Sequence, residues 1–269
     1  MIVFSIPKRI VIIASVILLF TYISPLVKSE EPGIIGYKIA KEISLRDKGF
    51  GHYAAKQTMI LKNKHGQGSN REMSIKVLEG KEDGDKSLIV FDSPKDVKGT
   101  ALLTHSHSTE DDEQWLYLPA LKRVKRISSS NKAGSFMGSE FAYEDMVSRE
   151  LEKFSYRFLG EESCNNKICN VLESIPKDKK SGYKRQIAWI DIDQYRTWKV
   201  KYYDLKNSHF KTLITSGYKL FKGKFWRPDS MFMENHLTGK TTLLKWQDYD
   251  FETRIPKSHF TTIGLKRAR

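Results

Sequence analysis

His105 and His107 stand two positions apart and lead into the acidic run Asp111-Asp112-Glu113. Residues two apart in a strand share a face, so the first chemistry this chain suggests is a His-His-carboxylate metal shell. Nothing elsewhere in the sequence completes such a shell. A solvent-facing strand end running into an acidic turn accounts for the same residues, and no metal is expected. Gly239-Lys240-Thr241 has the ending of a phosphate-binding loop, but that loop needs a glycine where this chain has Glu234. Neither a Gly-x-Ser-x-Gly elbow nor a His-Glu-x-x-His pair is present. The residues therefore offer no catalytic set and call for no cofactor, and an enzyme is not expected.

The two cysteines, Cys164 and Cys169, enclose Asn165-Asn166-Lys167-Ile168. At that spacing the residues flanking a β-hairpin turn can face each other, which favours a structural disulfide. A redox pair would need the shorter Cys-x-x-Cys spacing at a helix N-terminus. Basic residues are densest at Lys122, Arg123, Lys125 and Arg126, within a chain of formal charge +14. Such a run first suggests nucleic acid, but an exported protein does not meet it. Two readings remain, solvated strand residues or contact with anionic lipid head groups or an acidic partner.

Export is read from the N-terminus. Lys8 and Arg9 precede the apolar run Ile10 to Phe20, and a short tail ends in Val27-Lys28-Ser29, so residues 1–29 read as a signal peptide cleaved after Ser29. The competing reading is an uncleaved anchor, since Ile10 to Val27 approaches the span minimum of about 18 residues. Lys8, Arg9 and Lys28 are the charged side chains of this segment, so residues 30–269 still carry +11. An exported bacterial protein occupies an oxidising compartment, which suits the disulfide.

The elements that position these residues are mostly strands. Ile35, Ile39 and Ile43 predict one short amphipathic helix. From about Tyr53 the period becomes two: Met73, Ile75 and Val77; Trp115 and Tyr117; Tyr183, Arg185, Ile187 and Trp189; Trp198, Val200 and Tyr202; Thr242, Leu244 and Trp246. Turn signals recur at Glu82-Asp83-Gly84-Asp85, Ser93-Pro94, Asn165-Asn166, Lys206-Asn207, Thr238-Gly239 and Ile255-Pro256. Connections this short require antiparallel neighbours. The expectation is a mainly β single domain over residues 30–269, one strongly curved antiparallel sheet or open barrel with a few helices. Residues 128–150 interrupt the strand rhythm and predict a loop with a helical piece from Ser139 to Phe154.

Residues 111–146, DDEQWLYLPALKRVKRISSSNKAGSFMGSEFAYEDM, resemble the diagnostic stretch of the periplasmic LolA-like, outer-membrane lipoprotein-sorting family. The matches are Asp112, Trp115 to Pro119, Arg123, Arg126, Ile127, Phe136 to Ser139, Phe141, Tyr143, Glu144 and Asp145, with Glu140 in place of the usual Asp. Agreement extends to Phe91-Asp92-Ser93-Pro94 with Lys98-Gly99-Thr100, to Cys169 through Pro176, to Lys201-Tyr202-Tyr203-Asp204 and to Phe260 through Leu265.

The resemblance implies a half-open antiparallel β-barrel whose concave face, closed by helices, is an apolar cavity for acyl chains. On this reading Trp115, Tyr117, Phe136, Met137, Phe141 and Tyr143 form the cavity wall and mouth, or else simply core. Arg123 and Arg126 bind a head group or tie a lid to Glu144 and Asp145. The implied function is a non-covalent periplasmic carrier of lipid or lipoprotein acyl chains or of another hydrophobic molecule, with an RND-type exporter or an outer-membrane acceptor as partner and no nucleic acid. The alternative is an envelope sensor like RseB, which binds lipid or lipoprotein and a membrane-protein partner.

Overall fold

The computed structural model describes residues 1–2 and 30–268. The export signal and its alternative as an anchor fall on residues 1–29, nearly all of which lie outside the described residues. Among the described residues no helix is long and apolar enough to cross a membrane. Residues 31–269 form one compact unit.

The unit begins with helix α1 (Pro32–Asp47), whose first turn carries Pro32 where a missing N–H costs nothing. Six strands then meander: β1 (His52–Lys62), β2 (Gly68–Leu78), β3 (Lys86–Ser93), β4 (Ala101–His105), β5 (Glu113–Leu118) and β6 (Arg123–Ile127). A second meander is built from β7 (Phe154–Cys164), β8 (Lys167–Pro176), β9 (Arg185–Asp191), β10 (Thr197–Tyr203) and β11 (His209–Ser216). A small separate ribbon, β12 (Lys219–Phe221) with β13 (Phe225–Arg227), precedes β14 (Ser230–Asn235) and β15 (Thr241–Asp250). Helix α2 (Thr262–Arg267) ends the described chain.

Thirteen strands make one sheet in the order β6-β5-β4-β3-β2-β1-β15-β14-β11-β10-β9-β8-β7. Every pairing is antiparallel. The two meanders join where β1 pairs with β15, so β6 and β7 are left as the edges of a sheet that does not close. This is the curved antiparallel open barrel expected from the spacing of strands and turns, and it is half-open as the resemblance implies.

Strand alternation gives the sheet two faces. The inner face carries Met59, Met73, Ile75, Ile89, Phe91, Leu102, Leu116, Val200, Leu213, Met233 and Leu244 in one buried cluster. The outer face of β3 to β5 carries Leu88, Val90, Ala101 and Leu103, and these pack under Ile255, Phe260 and Leu265 from the C-terminal segment. α1 lies over the β7 to β9 end, with Ile39 and Ala40 buried against Leu172 and Ile190. Gly36 makes that approach feasible, because a Cβ there would stand 2.8 Å from the backbone nitrogen of Arg157.

Three local expectations are corrected. Residues 139–154 hold no α-helix, but single 3-10 turns at Tyr143–Met146 and Leu151–Lys153. The apolar residues there lack a helical stripe and are drawn into the sheet's interior one at a time. The hairpin between β7 and β8 is tighter than a four-residue loop: Asn165 and Asn166 alone make the turn, both at positive φ (46° and 59°), as a two-residue hairpin turn requires. Cys164 therefore pairs in register with Lys167 and Cys169 with Glu162, and the disulfide joins the two cysteines diagonally, with Cα atoms 5.9 Å apart. Finally, a register shift between Thr197 and Lys199 separates Trp198 from Val200 and Tyr202. Trp198 packs with Cys169, Val171, Ile187 and Trp189 instead.

Candidate functional site

Residues 128–153 leave one open edge of the sheet at β6 and enter the other at β7. They cross the inner face as a strap. Ser135 bridges Ala142, and Phe136 N–H donates to Phe141 C=O at 2.8 Å, so the strap doubles back at its centre. Met137 and Gly138 take positive φ (51° and 78°) at that reversal. The reversal drives Phe136 (0% exposed) and Phe141 (3%) into the inner-face cluster. Phe136 packs on Phe91 at 5.9 Å and edge-on to Tyr143 at 5.6 Å. The aromatic content of the strap thus occupies the interior of the half-open barrel.

Polar contacts to many strands fasten it. The Arg71 guanidinium donates to Met137 C=O, Gln114 donates to Tyr143 C=O at 2.9 Å, and Lys211 donates to Glu140 C=O at 2.8 Å. Glu140 N–H donates to the Thr242 hydroxyl at 2.9 Å, and its carboxylate accepts from the Asn235 amide at 2.6 Å. Glu144 accepts from the Ser181 hydroxyl (2.6 Å) and Gly182 N–H (2.8 Å). Asp145 accepts from Ala142 N–H (2.7 Å) and the Tyr183 hydroxyl (2.8 Å).

Burial pushes the Asp145 carboxyl up to about 6, against the lowering effects of its hydrogen bonds and of nearby Lys211. Burial and the adjacent carboxylate hold the Tyr183 phenol well above its usual range, so it remains a donor. An open pocket of about 330 Å³ lies between Leu61, Lys62 and Asn63 on one side and Gly138 and Glu140 of the strap on the other. Its lining of Lys62, Asn63, Gln67, Glu140 and Lys240 is that of a mouth rather than of an acyl-chain tunnel.

The residues selected from sequence do not gather at one place. Phe136, Met137, Phe141 and Tyr143 meet on the inner face. Trp115 and Tyr117 lie on the opposite, outer face under the C-terminal segment, because their strand neighbours Leu116 and Leu118 take the inward positions. A single wall of all six is therefore corrected to a four-residue strap cluster and a two-residue outer cluster. The tie from Arg123 and Arg126 to the strap acids is not made. Arg126 bonds Glu113 at 2.7 Å, Arg123 is exposed, and Glu144 and Asp145 are engaged by residues 181–183 and Ala142.

The two histidines part as well. His105 Nε2 lies 2.9 Å from Phe260 C=O, and its ring meets Trp115, while His107 Nδ1 lies 2.5 Å from Asp83. No group of three or more metal-ligating side chains occurs among the described residues. The sequence reading missed Arg71, Gln114, Tyr183, Lys211 and Thr242. The available signal was a polar residue at a position where strand alternation points inward, as at Gln114 beside Leu116 and Thr242 beside Leu244.

A family model described as an uncharacterized protein matches residues 83–267. No curated protein matches the chain. A crystal structure described as an outer membrane lipoprotein-sorting protein domain from Vibrio parahaemolyticus is 50% identical, with 87% of this chain and 100% of that chain covered and a TM-score of 0.86. A DUF1329 family protein from Desulfovibrio piger is 30% identical over 87% of this chain and 99% of its own, with a TM-score of 0.83. A LolA superfamily protein from Nitrosomonas europaea shares the fold at 17% identity, covering 85% and 98%, with a TM-score of 0.68.

Proposed function

Because this chain belongs to the LolA-like outer-membrane lipoprotein-sorting family, we propose that it is a periplasmic carrier which holds an acyl chain, of a lipid or a lipoprotein, on the inner face of its half-open barrel. The observation that carries this reading is the strap. It runs from edge to edge, fills the apolar interior with Phe136 and Phe141, and is fastened by separable polar contacts. An acyl chain entering beneath it replaces those aromatic contacts. Each methylene removed from water contributes about 0.8 kcal/mol, so one chain supplies enough energy to keep a lipid out of solution. Delivery then requires a second state of lower affinity, since a carrier that binds equally well in every state releases nothing. Strap out and strap in are those two states.

The exporting compartment rests on the signal read in residues 1–29 and on the lipoprotein-sorting description of the Vibrio domain. Hand-over to or from an RND-type exporter or an outer-membrane acceptor is part of the proposal and rests on the resemblance of residues 111–146. No nucleophile, base or metal is needed for such transfer.

The test is native mass spectrometry, with organic extraction, of protein purified from a bacterial periplasm without detergent. Discrete lipid or lipopeptide masses are expected. A Glu144→Gln variant, whose strap is less firmly held, is expected to take up a fluorescent fatty acid faster than the parent. Protein that is empty and takes up no fatty acid in either form refutes the carrier.

A further inference from the structure

Four adjacent strands in the middle of the sheet carry apolar residues at consecutive positions: Met59-Ile60-Leu61 in β1, Leu243-Leu244 in β15, Met231-Phe232-Met233 in β14 and Leu213-Ile214 in β11. Strands covered on both faces read in this way, whereas a strand with one wet face alternates. One side of each run joins the inner cluster. Ile60, Leu243, Phe232 and Ile214 point the other way.

Register places these four side chains opposite one another in turn, Ile60 to Leu243, Leu243 to Phe232 and Phe232 to Ile214. They form one row across the sheet, about 14 Å from end to end at the usual strand spacing. Over β3 to β5 the same two-faced pattern is covered by Ile255, Phe260 and Leu265. Over this row no such cover exists among the described residues, and Phe232 and Ile214 are 36% and 41% exposed.

The surroundings of the row are basic. Ile214 is opposite Lys199, whose ammonium lies 3.6 Å above the ring of Trp189. Lys245 stands opposite Thr58 and Ser230 in the next outward row on one side, and Lys62 and Lys201 flank the other. None of Lys62, Lys199, Lys201 and Lys245 forms an ion pair with another described residue. Acids share this face too: Glu234 between β15 and β11, Glu72, which accepts from Thr58, Asp92 beside Lys56, and Glu162, which accepts from the Trp189 indole N–H beneath Lys199. Just past the row, the hairpin between β14 and β15 presents Leu237, 69% exposed.

We infer that this outer row is a docking site for the surface of an anionic phospholipid bilayer. Ile60, Leu243, Phe232 and Ile214 enter the head-group boundary, and the lysines reach the phosphates around them with their stems lying along apolar surface. Charge decides the occupant. Two copies of this face would oppose lysine to lysine, and a row this narrow falls short of the area a stable dimer buries. A bilayer bearing phosphate complements both the apolar row and its rim. The inference concerns the outer face and stands whether or not the inner face carries a lipid.

The experiment uses residues 30–269, which hold every described strand and helix, so that the apolar segment before them cannot itself partition into the bilayer. The protein is sedimented with vesicles of phosphatidylcholine alone and of phosphatidylcholine with phosphatidylglycerol. Wild type is expected to pellet with the anionic vesicles, less so as salt rises, and to stay in solution with the neutral ones. Phe232→Glu combined with Ile214→Glu is expected to abolish pelleting while circular dichroism is unchanged. Lys199→Gln with Lys245→Gln, which leaves Ile60, Leu243, Phe232 and Ile214 in place, is expected to weaken binding about fivefold for each lysine lost. Equal binding to both vesicle types, no binding to either, or unchanged binding of the folded charge variants would each overturn the inference. An acidic protein partner or self-association on this face would be read from the second of these results.

Discussion

Two covers lie over one sheet, on opposite faces, and they are held differently. The C-terminal cover is held mainly by apolar burial: Phe260 is 2% exposed and Leu265 0%, over Leu88, Val90 and Leu103. The inner-face strap buries Phe136 and Phe141 equally well, but it is also laced to six strands and to residues 181–183 by hydrogen bonds, one of them to a carboxyl that burial pushes up to about 6. A cover held mainly by apolar burial, with polar ties among the described residues only from His105 to Phe260 and from Lys76 to His259, comes off only with the fold. A cover fastened by a titratable group can be loosened while the sheet beneath stays intact. On the proposed carrier reading, that difference gives the first to stability and the second to cargo exchange.

The largest effect should come from the apolar cover. Leu265→Ala and Phe260→Ala are each expected to cost about 2–5 kcal/mol in denaturant unfolding, the range for deleting a fully buried side chain. A loss below about 1 kcal/mol would mean that the segment is not part of the cooperative unit.

The strap should show an intermediate effect that depends on pH. The folded Asp145 carboxyl titrates at about 6, above its ordinary 3.8. Its protonated form is thus favoured by folding, so its contribution is fully present below about pH 4 and is lost as pH rises to about 6. One pKa unit corresponds to about 1.4 kcal/mol, and Asp145 keeps some contact with solvent. Stability relative to Asp145→Asn is therefore expected to fall by about 1–2 kcal/mol between pH 4 and pH 7. A difference that does not change with pH would remove the titratable latch and leave the strap as ordinary core.

The smallest effect belongs to the uncovered row. Phe232→Ser should change stability by no more than about 0.5 kcal/mol, as exposed substitutions do. A loss of several kcal/mol would show that the row is already covered in the folded chain, and the contrast between the two halves of the outer face would disappear.

Much of the fold was legible because β alternation is local. The period-two runs at Met73 to Val77 and Arg185 to Trp189, with turn residues at Glu82 to Asp85 and Asn165-Asn166, needed no partner to be read. The helix at Ile35, Ile39 and Ile43 was equally plain. The site was less legible. Phe136, Met137, Phe141 and Tyr143 meet on the inner face, whereas Trp115 and Tyr117, joined to them from sequence, lie on the other. A strand's periodicity shows which residues share a face but not which face is inward. Trp198 was misplaced for a related reason, a register shift that no pattern of residue types announces.

By itself the sequence determined that the chain is mostly strand, the antiparallel connectivity, the amphipathic helix and the membership marked by residues 111–146, since each depends on residues near one another in the chain. Tertiary structure alone decided that residues 128–153 cross from one open edge to the other, that Asp145 meets Tyr183 across 38 positions, and that Ile60, Leu243, Phe232 and Ile214 align in one row across the outer face. Those contacts join residues far apart in sequence, and they exist only because the sheet curves and because β15 returns to pair with β1.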